Sequence, residues 1–249
     1  MKLTCRIIPF ALVWANCVCV WAEDQTAKLP DDGWWIRYSW NEKTEVRGEL
    51  QEYTEKITCS FVGTATEDSE KCRWVEKKRD WSLGGKDRVS WVKFLVPEKD
   101  LIENEKPLER LKRAWVKSGD NDVRAMIIGK DIKPDSNLLR VFPGVWQNTE
   151  RLEKERVVDY QKGRLTISEA RTRTDKTSDT FEIAPGKNLD RTRIEESTVW
   201  FDQITSPVYA AASFRIKSYE NDLLHYSKEI EMVIEDIGND AQSKLPDNN

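Results

Sequence analysis

The sequence predicts a mainly β domain of the α+β class: a large curved antiparallel sheet or half-barrel of about ten strands, with one or two short helices packed on it. Three observations support this fold class. Segments in which apolar and polar residues alternate recur along the chain, and period two is the spacing of a strand. Short turn-forming sequences join many of them, which makes neighbouring strands antiparallel. A sheet of this size curls, closes or is covered.

The first predicted strand, 34–40, is rich in aromatic residues. Its even-numbered residues share one face and its odd-numbered residues the other, because successive strand side chains point to opposite faces. The next predicted strands are Val46–Glu52, Ile57–Phe61, Cys72–Lys77 and Val89–Val96. The last of these carries apolar residues on both faces, which is typical of a central strand covered on both sides.

After Pro97 the spacing of apolar residues changes from that of a strand to nearly that of a helix, over the segment 98–113. Leucines recur there at near-helical spacing, and Pro107 is suited to a first helical turn, so one or two short helices are expected. A hairpin of Trp115–Lys117 and Val123–Ile128 follows, and then a second irregular or helical stretch over 133–144.

The strand pattern returns after residue 156. Val157–Tyr160 and Arg164–Ile167 flank a short turn and predict a hairpin. Residues 171–192 are polar and weakly patterned, and predict a loop with one short strand around Phe181. Three further strands are predicted, followed by a loose polar tail, 238–249. The strands are Ile194–Asp202, Val208–Ser218 and Ser227–Ile237.

Residues 1–22 have the order of a secretory signal peptide. Lys2 and Arg6 form a positive start, 7–20 is mostly apolar, and Ala22 precedes the expected cleavage site. The apolar run is shorter than the roughly 20 residues that span a bilayer, which disfavours a membrane anchor. The expected product is a single exported domain, 23–249, periplasmic or extracellular, with no transmembrane segment after cleavage.

The charge pattern excludes some partners. The net charge is −4 with both signs mixed along the chain, and loss of Lys2 and Arg6 makes it −6. Since there is no basic block or stripe, nucleic acid is not expected as a partner.

Cysteine usage leaves one question open. Of five cysteines, only Cys59 and Cys72 follow the predicted signal peptide. A turn centred on Asp68 and Ser69 would place the two roughly 20 Å apart along the ladder, too far for a disulfide without another register. Both a disulfide and buried thiols therefore stay open. Two cysteines and one histidine do not make a tetrahedral zinc site.

Motifs of catalysis are not found. The sequence lacks a zinc-protease helix, a nucleophile elbow, a glycine-rich phosphate loop and a calcium loop. Its one histidine, His225, has no accompanying nucleophile motif. Carboxylates are abundant, but none is singled out. No catalytic residue, metal or cofactor is predicted, and the sequence favours a protein that is not an enzyme.

The tryptophan content is the sequence feature that points towards a binding function. Nine tryptophans follow the predicted signal peptide, and each offers a large apolar surface with one polar group. Most are expected to pack in the core. Trp34 and Trp35 are adjacent strand residues that point to opposite faces, so one of them is a candidate contact residue if one sheet face is exposed. The candidates for ligand contact are Trp34, Trp35, Trp40 and Trp91.

Three segments resemble a group of exported bacterial proteins of unknown function. They are Asp32–Trp35, Phe94–Leu101 and Asp236–Pro246. The resemblance covers most of the chain after the signal peptide and implies no activity. More distantly, the long meander with inserted helices looks like the periplasmic lipoprotein-carrier (LolA-like) half-barrels, whose curved sheet holds acyl chains. That likeness is architectural and transfers no binding residue.

Together these observations predict a non-catalytic binding or carrier protein of the cell envelope. Its ligand would be apolar or a protein partner: a lipid, a lipoprotein or another envelope protein. The alternatives are a carboxylate-dependent envelope hydrolase acting on glycans, and a structural or assembly protein without a small ligand.

Overall fold

The computed structural model describes residues 29–245 except 84, 104–106, 129, 132–148, 185, 203–204 and 206–207. The predicted signal peptide, and the predicted irregular stretch 133–144, therefore lie outside the described residues. Within them the chain forms one antiparallel sheet of eleven strands, a single short α-helix and a 3₁₀ turn. The mainly β class and the curved sheet are confirmed. One short α-helix is described, where one or two were predicted.

The strands are longer than the alternating segments that predict them. They are β1 (Trp35–Val46), β2 (Glu49–Glu67), β3 (Glu70–Leu83), β4 (Lys86–Pro97), β5 (Arg113–Ser118), β6 (Arg124–Ala125), β7 (Glu150–Tyr160), β8 (Gly163–Ala184), β9 (Lys187–Phe201), β10 (Tyr209–Glu220) and β11 (Leu223–Gly238). Helix α1 is Glu98–Glu103, and the 3₁₀ turn is Pro107–Arg110.

The strand order places the first and last strands side by side. It runs β6-β5-β4-β3-β2-β1-β11-β10-β9-β8-β7, so each half of the chain is a meander and the two halves join where β1 pairs with β11. Among the described residues β6 and β7 are the edge strands. The β7 edge curls towards β11, and the N–H of Gln161 donates to the carbonyl of Glu235 at 2.8 Å.

Two predicted elements are wrong, for different reasons. The segment Val46–Glu52 is not one strand, because Arg47 and Gly48 form the tight turn between β1 and β2 with positive φ angles of 52° and 85°. The segment 171–192 is not a loop, since most of it lies in the long β8–β9 hairpin. Both faces of that hairpin are largely exposed, so no apolar alternation marks it.

The main core lies on one face of the sheet, at the end where β1 starts. Ile36 and Tyr38 of β1 are completely buried, and the directly paired Cys59 and Ile57 of β2 extend the same layer. The hydroxyl of Tyr38 donates to the carbonyl of Tyr209 at 2.7 Å, which ties β1 to β10 across the core. Towards the opposite ends of the strands the side chains become polar and exposed. The sheet thus has an apolar base and a polar extension.

Candidate functional site

A groove runs over the sheet face opposite the main core. It has a volume of about 560 Å³ and crosses β1–β4, with one residue from β11. Its lining residues are Ser39, Asn41, Thr54, Glu55, Lys56, Asp80, Trp81, Ser82, Asp87, Arg88, Val89 and Glu235. We call it the polar groove.

The registers explain why polar side chains collect there. Ser39 pairs with Lys56, Lys56 pairs with Asp80, and Asp80 pairs with Val89, so these four form one row across the sheet. Directly paired residues project to the same face. Since the core face of β1 carries Ile36 and Tyr38, the odd-numbered β1 residues face the polar groove.

Charges in and beside the polar groove form ion pairs. The ammonium of Lys56 lies 3.1 Å from the carboxylate of Glu235, and the guanidinium of Arg37 lies 3.4 Å from the same carboxylate. Lys78 approaches Asp80 at 2.8 Å. Two lining residues, Glu55 and Arg88, belong to the opposite face, because Glu55 pairs with Trp40 and Trp81, and Trp81 pairs with Arg88. On the groove face the carboxylates of Asp80, Asp87 and Glu235 stand against the one lining ammonium of Lys56, so that lining is acidic overall.

A second feature lies on the same face at the base of the sheet. Residues 239–245 leave β11 and run across β3 and β4, where Glu76 and Lys93 are paired. The Glu76 carboxylate accepts from the N–H groups of Lys244 at 3.0 Å and Leu245 at 3.2 Å. The Lys93 ammonium donates to the carbonyl of Leu245 at 3.0 Å and to the Ser243 hydroxyl at 2.8 Å. We call residues 239–245 the C-terminal strap.

The end of the strap fills a small apolar pocket. Leu245 is only 4% exposed and belongs to a cluster with Cys72, Trp74, Leu95 and Trp115. This pocket, together with the buried Glu76 and Lys93, is called the strap slot below. The predicted loose tail is therefore wrong for residues 239–245. Residues 246–249 lie outside the described part of the chain.

The strap is also held by the start of the sheet. The N–H of Ala241 donates to the carbonyl of Gly33 at 2.8 Å, and the indole N–H of Trp35 donates to Asp240 at 2.7 Å. A Cβ atom on Gly238 would lie 2.5 Å from the Trp35 ring, so only glycine fits this contact. The end of β11 and the start of β1 are thus packed without spare room.

An ion cluster completes the base. The guanidinium of Arg73, whose side chain is 9% exposed, binds Asp32 at 2.5 Å and Glu98 at 2.9 Å. Lys71 reaches the other oxygen of Glu98 at 2.9 Å. The three segments with a sequence resemblance therefore meet at the base, since Asp32, Glu98 and the strap belong one to each.

The structure separates the four candidate tryptophans. Trp34 and Trp40 are partly buried against the main core, and Trp34 lies 5.7 Å from the Phe61 ring. The indole N–H of Trp35 donates to Asp240 of the strap. Trp91 packs beside the strap-slot cluster, with the Lys117 ammonium 5.8 Å from its ring centroid. None of the four lines the polar groove, and their role in ligand contact stays a prediction.

The two cysteines are separate, buried, free thiols, so the disulfide alternative is not realised. Cys59 pairs with Lys77 and belongs to the main core, whereas Cys72 pairs with Ala65 and belongs to the strap slot. The turn at Asp68 and Ser69 that the sequence allowed does form. Regular pairing from this turn would place Cys59 opposite Lys78, and a bulge in β2 between Phe61 and Thr64 places it opposite Lys77 instead. Burial raises the pKa of the Cys59 thiol to about 11.

Other chemical centres are sparse in the part of the chain that the structure describes. No group of three or more His, Cys, Asp or Glu side chains is placed to hold a metal ion. His225 pairs with Glu220 at 3.5 Å near a hairpin turn. A second concavity of about 590 Å³ lies on the edge strand β7 and its neighbour β8. No described helix is long and apolar enough to cross a membrane.

Sequence reasoning missed Glu76 and Lys93. A signal existed, because Lys93 stands inside the apolar run Trp91–Val96, which predicts a strand covered on both faces. A lysine in such a strand must be buried and needs a partner. The partner could not be found from sequence, since it comes from a segment about 150 residues further along the chain.

Comparisons with known proteins give no family. None of the family models matches this chain, and no curated protein matches it. Three solved structures are similar at low identity. A DUF1329 family protein from Desulfovibrio piger is 10% identical, with 87% of this chain and 88% of that chain covered and a TM-score of 0.24.

The other two neighbours are described as lipoprotein-related. A proposed lipoprotein from Parabacteroides distasonis is 12% identical over 84% of this chain and 96% of that one, with a TM-score of 0.17. A proposed outer membrane lipoprotein-sorting protein domain from Vibrio parahaemolyticus is 8% identical over 86% and 88%, with a TM-score of 0.18. These neighbours are of the two kinds that the sequence resembles. Similarity at such TM-scores carries no argument about this chain's function.

Proposed function

We propose that this chain is a non-catalytic binding protein of the cell envelope that holds an extended, basic segment of a protein partner in its polar groove. The observation that supports this most directly is the groove itself: an open concavity across five strands, lined by hydroxyl, amide and charged side chains. Such a surface offers hydrogen bonds to a polar segment along its length. The envelope location rests on the predicted signal peptide.

The acidic lining favours a basic partner. Asp80, Asp87 and Glu235 lie among the lining residues, and complementary charge steers encounter and selects partners. The same lining disfavours an apolar ligand, because an acyl chain would bury carboxylates and hydroxyls without hydrogen bonds. The main-core face, where a lipid would find apolar contacts, is filled by side chains such as Phe61 and Phe94.

Binding of matched peptides tests the proposal. Ten-residue peptides with basic, neutral and acidic side chains, together with a fluorescent fatty-acid analogue, are titrated into the protein. We expect saturable binding of the basic peptide, at least tenfold weakened in the Asp80→Asn, Asp87→Asn double variant. The matched control is Asp175→Asn, an exposed β8 carboxylate that does not line the groove. Binding of the fatty-acid analogue and of no peptide would overturn the proposal.

A second candidate function has one specific observation in its favour. Asp80 and Asp87 lie on adjacent strands, and since Asp80 pairs with Val89 they are diagonal neighbours on one face. The Cα atoms of diagonal neighbours are about 7–8 Å apart, so the two side chains can bring their carboxylates to the separations of roughly 5–10 Å found in glycosidases. Release of reducing sugar from cell-wall glycan, abolished by either single Asp→Asn change, would favour this hydrolase over the binding protein.

A further inference from the structure

Two buried charges lie beneath the C-terminal strap and bind its main chain. Lys93 is completely buried and Glu76 is 6% exposed. The Glu76 carboxylate accepts hydrogen bonds from the N–H groups of Lys244 and Leu245, while the Lys93 ammonium donates one to the carbonyl of Leu245. The two side chains therefore satisfy both kinds of main-chain group on one short stretch of peptide.

The strap slot also binds two side chains of the strap, those of Ser243 and Leu245. The Ser243 hydroxyl lies between the charges, donating to Glu76 at 3.0 Å and accepting from Lys93 at 2.8 Å. Leu245 fills the apolar pocket, and the Trp74 ring that helps to form it lies 4.9 Å from the Lys93 ammonium. The pattern recognised is serine, any residue, leucine.

Such a pair of charges is not needed merely to hold the strap against the sheet. Burying charged groups has a large desolvation cost, and apolar residues of similar volume often stabilise a protein as well or better. Main-chain hydrogen bonds combined with a pocket for one side chain are how proteins recognise extended peptides. The strap slot has both parts of that arrangement.

The strap is attached in a way that permits release. Residues 240–243 belong to no strand, and outside the slot the strap is held by the bonds from Ala241 to Gly33 and from Trp35 to Asp240. Its departure would leave every pair of the sheet in place.

We propose that the strap slot is a recognition site for an extended protein segment with a Ser-x-Leu pattern, and that the C-terminal strap is its resident ligand, which a partner's segment displaces. This site is separate from the polar groove. The strap slot is tested by substitutions of Leu245 and Lys93, and the polar groove by substitutions of Asp80 and Asp87. The two proposals can therefore fail independently.

Peptide binding to the full chain carrying Leu245→Asp tests the displacement. A charged side chain cannot fill the apolar pocket, so the variant's own strap leaves the slot. A fluorescein-labelled peptide with the sequence of residues 242–249 is titrated and followed by anisotropy. We expect saturable binding, at least tenfold tighter than to the wild-type chain, since a tethered strap competes at an effective concentration on the order of millimolar.

Two controls separate recognition from non-specific contact. The same peptide with aspartate in place of its leucine should not bind. Adding Lys93→Met to the Leu245→Asp chain should weaken binding at least tenfold, because the peptide carbonyl then loses its charged donor. Folding of each variant is checked by far-UV circular dichroism, and Leu245→Ala replaces Leu245→Asp if the latter does not fold.

The cysteines give a second, structural readout. Cys72 lies in the strap slot and Cys59 in the main core. In the Leu245→Asp chain, a maleimide should label Cys72 at least tenfold faster than in wild type, with Cys59 unchanged, and added peptide should restore the protection of Cys72. A folded variant that binds no peptide, or a Cys72 that peptide does not protect, would show the strap to be a fixed brace and overturn the proposal.

Discussion

At the scale of single residues, Lys77 and its neighbour Lys78 show how the face of a strand decides the state of a charge. Lys77 is 8% exposed and pairs with the buried Cys59, whereas Lys78 lies on the opposite face with a 41% exposed side chain. Burial lowers the pKa of Lys77. Desolvation of the ammonium thus lowers stability at Lys77, whereas the exposed ammonium of Lys78 has no such cost.

Replacing Lys77 with Met should stabilise the fold by about 1–2 kcal/mol at pH 7, because the buried ammonium is removed. In the wild type the unfolded chain holds the Lys77 proton up to its ordinary pKa of 10.5, while the folded chain releases it at lower pH. This group's contribution to stability therefore rises as the pH approaches 10.5. The advantage of Lys77→Met should shrink accordingly.

Urea unfolding at pH 7, 8 and 9 measures this effect. Lys78→Met is the matched control and should change stability by no more than about 0.5 kcal/mol at any of these pH values. An advantage of Lys77→Met that stays constant with pH would contradict the assignment of its cause to the buried charge.

Gly238 is a second residue whose role follows from space alone. Adding a methyl group there would bring a carbon to 2.5 Å from the Trp35 indole. Gly238→Ala should therefore destabilise the protein by about 1–3 kcal/mol, the usual range for overpacking. Thermal unfolding measures the loss.

A double-mutant cycle checks that the Trp35 ring is the obstacle. In the Trp35→Ala background the added methyl has room, so Gly238→Ala should cost at least 1 kcal/mol less there than in the wild type, a coupling typical of residues in contact. Equal costs in the two backgrounds would place the strain elsewhere.

At the scale of elements, tight turns define where the long strands reverse. Asp68 and Ser69, between β2 and β3, have φ angles of 51° and 65°. Both angles positive is the pattern of the hairpin turn that Asn-Gly or Asp-Gly adopts best. A turn at this position was the condition under which the sequence placed the two cysteines far apart, and it forms although its second residue is a serine.

Ser69→Gly should stabilise the protein, because glycine adopts a positive φ without strain. The expected gain in the free energy of unfolding is about 0.5–1 kcal/mol, from urea titration at neutral pH. Ser213→Gly, at a regularly paired position in the interior of β10, is the opposite control and should destabilise by a similar amount. A loss of stability in Ser69→Gly would show that its side chain makes a contact more important than the turn strain.

The β8–β9 hairpin shows why pattern-based prediction failed for one element and succeeded for others. β4 was predicted because Val89–Val96 carries apolar residues on both faces, and Phe94–Val96 are buried in the structure. The outer part of β8–β9 is held by polar cross-strand pairs, such as Ser178 with Thr192 at 3.1 Å and Thr180 with Asp190 at 2.8 Å. Those pairs stabilise a strand without leaving an alternation of apolar residues in the sequence.

At the scale of the whole molecule, the pairing of β1 with β11 joins two meanders into one sheet. Arg37 and Asp236, which bond across this junction, are 199 positions apart in the chain. The main core includes residues of both meanders, among them Phe61 and Phe214. Neither half completes its core alone.

Unfolding should therefore be a single cooperative transition. Far-UV circular dichroism, which follows the sheet, and tryptophan fluorescence, which follows the base, should give the same midpoint in urea within error. Refolding should be slow for a single domain, in the range of milliseconds to seconds or longer, because the junction closes only after long-range contacts form. Two separated midpoints would show that the meanders are independent folding units.

The sequence by itself determined the class of fold and most of the strands, because the alternation of apolar and polar residues is a local property of the chain. It also predicts export, through residues 1–22. Only the tertiary structure decided which strands are neighbours, where the polar groove lies, and that Glu76 and Lys93 hold residues 239–245. Those features depend on β1 meeting β11 and on a strap crossing the sheet. Contacts between residues so far apart leave no periodic pattern in the sequence.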